Sequence, residues 1–500
     1  MHALEQKQRQ IHLLANIFLN LFIIFGIYIF YLYVLEYRSL LSSENIILIS
    51  KVLAYFSIFL TIYYVICWGK ITGVTFNLFS MFLISFILFT MGQPILFSFN
   101  QDPSVNLYLR LPLESIVKAE IYTLICFSSL FVGGLISLYF SKNKGKKMND
   151  FQETNTIFAF RNVGLLLFSL TLLPTIYFMF NNFQLASSVG YGALSGSSSS
   201  NIISKIISMM SDYFIISLVL MLIGYKDKKV IVNIINFIAI LYSFSYFLLG
   251  DRAIPTTIIL MVLWFNTNIR KKVNFKSYIK ILVLVTALLT LFPIIGDLRT
   301  EGLISISELT SNISLNSKEE ESNFVVESIG TFGYSMFPLV KTMDIVPEVS
   351  PFKFGSSYFF ALTTVVPNIF GGQHIGAQNS ALAQWLMNIL DMNYGPGYSI
   401  PAEAYYNFGW FPVPIMILMG ILFAKLLTFT TFDKGNYIKL FIILSFFYMN
   451  LTAPRAEFLG IVRDVTYYII PVYLLLLLAI NHITLRRKTT CEKTSIHKDI

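Results

Sequence analysis

Long apolar runs separated by short polar gaps set the pattern of this chain. They cover approximately 13–35, 46–68, 74–99, 117–140, 157–180, 202–224, 230–249, 253–268, 278–296, 411–432, 438–453 and 464–481. Most are close to the ~20 residues a helix needs to cross a hydrocarbon core of ~30 Å. The gaps alternate in charge. Lys7 and Arg9 precede the first run, and every second gap is basic thereafter: Lys70; Lys142, Lys144, Lys146 and Lys147; Lys226, Lys228 and Lys229; Arg270, Lys271, Lys272, Lys276 and Lys280; Lys434 and Lys439; then Arg486, Arg487 and Lys488. Cytoplasmic loops collect Lys and Arg. The pattern predicts an all-α polytopic protein of about 12 spans, residues 1–500 as one integral membrane domain, with both termini cytoplasmic.

The outward gaps are sparse in basic residues and uneven in length. Residues 181–200 are uncharged and end in a Ser/Gly run, the composition of a flexible linker. Gly190-x-Gly192-x-x-x-Gly196 follows no predicted strand and lacks dinucleotide-fingerprint spacing. Residues 297–410 form the one large outer loop. Its polar start at Glu319–Glu321 gives way to an amphipathic stretch at 324–343. A short apolar piece at 358–370, bounded by Pro-containing turns, reads as a re-entrant or interfacial helix. A loop this long in a compact protein points to a lid or part of a site.

Composition fits the same picture, with 55% hydrophobic residues, 13% charged residues and a mean hydropathy of +0.68. The net charge of +9 reports loop orientation once the gaps are sorted by side, so nucleic acid is not an expected partner. Cys67, Cys126 and Cys491 are far apart and suggest neither a disulfide framework nor a zinc site. The first run is too long for a signal-peptide core and reads as a retained span.

Four arginines stand in or beside the sparse outer gaps: Arg252, Arg299, Arg455 and Arg463. Charge at a membrane boundary on that side is a functional hypothesis by default. Gly250-Asp251-Arg252 and Gly296-Asp297-Leu298-Arg299 each set a guanidinium at the end of a run. Arg455, Glu457, Arg463 and Asp464 crowd the gap before the last run. Local pairing of each arginine with its neighbouring carboxylate is the bland reading. Guanidinium groups that together bind a phosphate are the functional one. A second cluster is Pro401-Ala402-Glu403-Ala404-Tyr405-Tyr406-Asn407-Phe408-Gly409-Trp410. Carboxylate, amide and aromatic faces suit a sugar, by hydrogen bonding to hydroxyls and stacking. The alternative is an interfacial aromatic belt with Glu403 solvated.

This Glu403 segment resembles the glutamate–tyrosine–asparagine–phenylalanine–glycine signature of Wzy-type O-antigen and capsule polymerases. The Gly250-x-Arg252 turn and the outer loop before the last three spans are similar to that family too. The resemblance implies an architecture like that of the GT-C-like polymerases and ligases. It also implies a glycosyltransferase that polymerises undecaprenyl diphosphate-linked repeat units at the outer face of the bacterial cytoplasmic (inner) membrane. Lipid-linked oligosaccharide and membrane lipid are then the expected partners, with a chain-length regulator and a flippase alongside.

On that reading Glu403 is the candidate general base, with Asp464 and Glu457 in reserve. Arg252 and Arg299 are the first candidates to clamp the departing diphosphate. Arg455, Arg463, Tyr405, Tyr406, Asn407, Trp410 and Asp464 are expected at substrate. No paired-aspartate motif for a divalent cation is present, so neither metal nor cofactor is expected. A lipid-linked oligosaccharide flippase would also bind diphosphate, but should show two related halves and charges along a central cavity. An O-antigen ligase shares donor and plan.

Overall fold

A computed structural model describes residues 2–37, 42–74, 77–141, 150–189, 202–249, 251, 253–270, 324–366, 374–392, 395–430, 433 and 435–496. These are almost entirely helical, and no strand occurs among them. In chain order the helices are α1 (His2–Glu36), α2 (Ser43–Thr72), α3 (Leu78–Ser98), α4 (Leu113–Phe140), α5 (Asp150–Val189), α6 (Ile202–Gly224), α7 (Lys229–Leu248), α8 (Ala253–Phe265), α9 (Phe324–Gly333), α10 (Phe337–Ile345), α11 (Ser356–Thr363), α12 (Ile375–Ser380), α13 (Leu382–Ile389), α14 (Ile400–Phe408), α15 (Val413–Leu427), α16 (Tyr437–Asn450), α17 (Phe458–Asp464) and α18 (Ile470–Ile496).

Among the described residues eight helices are long and apolar enough to cross a membrane: α1 to α7, and the helical stretch Phe458–Arg487. The protein is an all-α polytopic membrane protein. Of the remaining expected spans, α8, α15 and α16 have 13, 15 and 14 residues. The run 278–296 lies outside the described residues. A π-helical turn, Asn266–Arg270, prolongs α8, while Pro412 and Thr428 bound α15.

The chain gathers into two compact units. The first comprises 1–143, 325–431 and 449–464. At its centre is α4, whose most apolar window is 89% buried, against 22% for α1 and 28% for α2. The outer helices turn large apolar side chains such as Phe18, Phe22 and Phe59 outward, as lipid-facing helices do. Where α4 meets α15 their backbones touch. A Cβ at Gly420 would fall 2.0 Å from the Leu130 carbonyl oxygen, and one at Gly133 would fall 2.1 Å from that of Ile417. Small residues permit this close approach, and dispersion contacts hold it where hydrophobic burial between helices is weak.

The outer-loop helices pack onto this frame. Gln93 of α3 donates to the carbonyls of Val105 and Gly330, at 2.5 and 2.9 Å. Glu327 of α9 accepts from the Ser104 backbone N–H at 2.9 Å. The gap after α3 and helix α9 of the large loop are therefore joined.

The second unit comprises 144–324, 432–448 and 465–500. Here α5 and α6 pack along their length, with Gly164 of α5 close to Leu220 and Met221 of α6. Near one end, Arg161 donates to the Gly224 carbonyl at 2.6 Å. Midway along α6, Asp212 accepts from Tyr468 at 2.8 Å.

Candidate active site

Glu403 stands on α14, a nine-residue helix that starts locally. Ser399, in extended conformation, accepts from the Ala402 N–H, and Pro401 fills the first turn, where its missing N–H costs nothing. Gly409 ends the helix with φ +56, a conformation that L side chains rarely adopt. All residues from Ile400 to Asn407 are buried. The solvated-belt alternative therefore does not hold for Glu403, which is 1% exposed.

Both carboxylate oxygens of Glu403 are engaged. Oε1 accepts from Ser357 Oγ at 2.6 Å, and Oε2 accepts from the backbone N–H of Phe458 at 2.7 Å. The first bond ties α14 to α11, the second to the start of α17. Asn407, one turn further along α14, donates to Ser357 Oγ at 2.8 Å and accepts from Gly355 N–H at 3.0 Å. Gly355, at φ +87, makes the turn that brings these groups into line. Burial pushes the Glu403 carboxyl up to about 7, against the opposing bonds from Ser357 and Phe458; Glu457 adds to the rise. A carboxyl near 7 changes charge around neutral pH, as a general acid or base requires.

Around it lies a set of buried hydroxyls. Tyr398 shares a 3.0 Å hydrogen bond with Thr342. The Tyr358 hydroxyl is buried and has no hydrogen-bond partner among the described residues. Burial, then the Glu403 charge, raises the Tyr358 pKa. The ring of Tyr358 meets Phe458 edge-on, with centroids 5.3 Å apart. Glu457 accepts from the N–H of Ala383 at 2.9 Å, so it caps α13. Burial raises its pKa, while the α13 N–H groups and Arg463 act the other way.

The structure thus brings together Glu403, Tyr405, Tyr406, Asn407, Glu457 and the short helix α17, which carries Arg463 and Asp464. The aromatic members are packed inward rather than laid open. Tyr405 and Tyr406 are each 5% exposed. Tyr405 meets Tyr122 of α4 edge-on, Tyr406 meets Trp385, and Trp410 stacks on Tyr31 at 3.6 Å. Arg455, in the 3-10 turn Ala453–Arg455, and Arg463 are exposed. Arg252 and Arg299 lie outside the described residues.

A family model, O-antigen polysaccharide polymerase Wzy, matches residues 16–488. The chain belongs to that family. No curated protein and no solved structure matches it. A Wzy polymerase joins O-antigen repeat units, so this chain is an enzyme of polysaccharide biosynthesis embedded in a membrane.

For a Wzy protein, sequence reasoning passed over two groups. Ser357 gave no signal, because its partners are 46 and 50 residues away. Glu120 was readable as an acidic residue inside the apolar run 117–140. It is fully buried, and its Oε1 accepts from Ser50 at 2.6 Å and Tyr108 at 3.0 Å.

Proposed function

We propose that this polymerase transfers a growing glycan from undecaprenyl diphosphate to the next lipid-linked repeat unit, at the outer face of the bacterial cytoplasmic membrane. The acceptor hydroxyl oxygen attacks the anomeric carbon of the donor. The bond from that carbon to the diphosphate breaks, and the diphosphate departs with the electron pair. The acceptor proton passes to Glu403. Fixed guanidinium groups stabilise the charge that develops on the leaving group; Arg252 and Arg299, with Arg455 and Arg463, are the residues assigned to it.

The observation that carries this reading is the Glu403 carboxyl, held between α11 and α17 with its pKa brought near neutrality. The orphaned Tyr358 hydroxyl beside it supports the reading, since a buried donor without a partner is costly unless a ligand supplies one. Ser357 lies between Glu403 and Asn407, so proton transfer requires the α11 turn to yield the Ser357 contact to the acceptor.

A second reading has its own observation. Both Glu403 oxygens are bonded within the protein, which suits a positioning residue that holds α17 and its arginine. Purified Glu403→Gln and Glu403→Asp proteins, given lipid diphosphate-linked repeat units, separate the two. A base gives lost extension with donor binding retained, and partial rescue by Asp. A positioning role gives lost donor binding. Normal extension by the Gln variant overturns both and passes the base to Asp464 or Glu457.

The orientation assigned here, with both termini cytoplasmic, rests on the Lys and Arg asymmetry, and its placing of three gaps on one side is supported by how those gaps meet. The outward gap after α3 joins the large loop through Glu327 and Gln93, and that loop joins the Arg455 gap through Glu403 and Phe458. Reporter fusions at residues 146, 275, 320 and 490 test it. Outside-type activity at 275 or inside-type activity at 320 would break the twelve-span arrangement.

A further inference from the structure

The second unit holds a cavity of about 330 Å³ lined by Lys226, Asp227, Asn268, Arg270 and Tyr437. It is built entirely from helix ends. Lys226 and Asp227 belong to the turn between α6 and α7, Asn268 and Arg270 to the π-helical turn after α8, and Tyr437 is the first residue of α16. Polar ends of apolar helices lie at headgroup depth. These three gaps are also among the basic ones that the sequence pattern assigns to the cytoplasmic side.

The charges in this cavity are of both signs and unevenly satisfied. Lys226 is occupied, with Glu153 at 3.7 Å and a hydrogen bond to the Tyr437 hydroxyl. Arg270 is held at Nη1 by the amide oxygens of Asn266 and Asn233, at 3.0 and 3.4 Å. Those neutral contacts orient the guanidinium without neutralising it. Among the described residues neither Arg270 nor Asp227 has an ion-pair partner, although both line the same space. A cation and an anion that share a cavity without meeting leave room for a ligand carrying the opposite charges in the same order. The volume is at the small end of the range for ligand pockets, about 300–1,000 Å³, suited to a headgroup rather than a sugar chain.

We propose that this cavity binds the zwitterionic headgroup of a phospholipid bearing a primary amine, its phosphate on Arg270 and its ammonium on Asp227. A planar guanidinium fork suits phosphate oxygens. A carboxylate accepts charge-assisted hydrogen bonds from a primary ammonium, which a quaternary ammonium cannot donate and a glycerol headgroup does not carry. The site is remote in sequence from Glu403, and the proposal is independent of the roles assigned there.

The test is lipid retention by the purified full-length protein in detergent, read by native mass spectrometry with phosphatidylethanolamine, phosphatidylglycerol and phosphatidylcholine of matched chains. One charge-assisted contact more should favour phosphatidylethanolamine by about tenfold over either competitor. Asp227→Asn should lower its retention to that of phosphatidylglycerol, and Arg270→Gln should lower retention of all three. If Arg270→Gln does not elute as folded protein, Arg270→Lys serves instead; it keeps the charge, loses the fork, and should retain less lipid than the native chain. Equal retention of phosphatidylethanolamine and phosphatidylglycerol by the native chain overturns the proposal. So does a preference that survives Asp227→Asn. Binding of free O-phosphoethanolamine with no retention of the intact lipid would assign the cavity to a soluble zwitterion and overturn the lipid reading.

Discussion

Two carboxylates of the first unit are equally hidden from solvent and differently held. Glu403, on a nine-residue helix of the large loop, has each oxygen bonded to a group brought from far along the chain. Glu120, inside the long helix α4, takes two hydroxyls on one oxygen, while Oε2 has no partner among the described residues. Glu120 is tied to Ser50 of α2, 70 residues away, and to the short turn at Tyr108, 12 residues away. Glu403 sits where α11, α14 and α17 converge, so its environment exists only when all three are assembled. Burial alone therefore does not separate the two carboxylates; what differs is that both Glu403 oxygens are bonded and only one Glu120 oxygen is.

The largest effect expected from that difference is at Glu403. A general base contributes ~10²–10⁴-fold in rate, so Glu403→Gln should nearly abolish glycan extension while the protein still inserts and accumulates. Gel ladders of surface polysaccharide at matched expression measure this. Glu120→Gln, made in parallel, should leave the ladder intact; a collapsed ladder in that variant would reverse the comparison.

The pH dependence sharpens it. Extension by the native enzyme should rise with pH through about 7, as the Glu403 carboxyl ionises. Ser357→Ala removes a hydrogen bond that holds this pKa down, so the midpoint should move to higher pH with a smaller loss of maximal rate, about tenfold. An unmoved midpoint would mean that a different group sets the profile.

Stability should move in the opposite sense. Folding raises the Glu403 pKa above the ordinary carboxylate value, and burial raises that of Glu457 in the same direction. Their contribution is fully present below the ordinary value and is lost as pH rises, for Glu403 through about 7. Thermal unfolding followed from pH 5 to 8 should show this decline, and Glu403→Gln should flatten its share of it. A native profile identical to that of the Gln variant would contradict the raised pKa.

The smallest effect is at Glu120. Glu120→Ala removes the acceptor that Ser50 and Tyr108 share; those two hydroxyls also bond each other at 3.0 Å, so one donor is left unpaired, a loss of about 1–3 kcal/mol in unfolding. Polymerisation by the protein that remains folded should be normal.

What the sequence made legible follows from range of interaction. Membrane spans rest on runs of about 20 apolar residues, and the eight long helices fall on runs found that way. The start of α14 was equally local, with Ser399 and Pro401 adjacent to the Glu403 they precede. The two partners of the Glu403 carboxylate are 46 and 55 residues away, and nothing in the local pattern announces Ser357 or the Phe458 N–H. The inward packing of Tyr405, Tyr406 and Trp410 was illegible for the same reason: an aromatic residue near a membrane boundary has the same local signature whether it lines a site or fills a core. Glu120 was legible, since a carboxylate within an apolar run is expensive, but its partners Ser50 and Tyr108 have no local signature.

The contact between Gly133 and Gly420 bears on which side of Glu403 can move. Through Gly409 and the turn that follows it, α14 runs directly into α15, and α15 is pressed backbone to backbone against α4. That side of Glu403 behaves as an anvil, with no slack to take up. On its other side α11 and α17 are fastened to Glu403 by only one hydroxyl and one backbone N–H. The side chain that makes both fastenings is the carboxylate to which the chemistry is assigned, so a change of protonation at Glu403 would also change how firmly α11 and α17 are held.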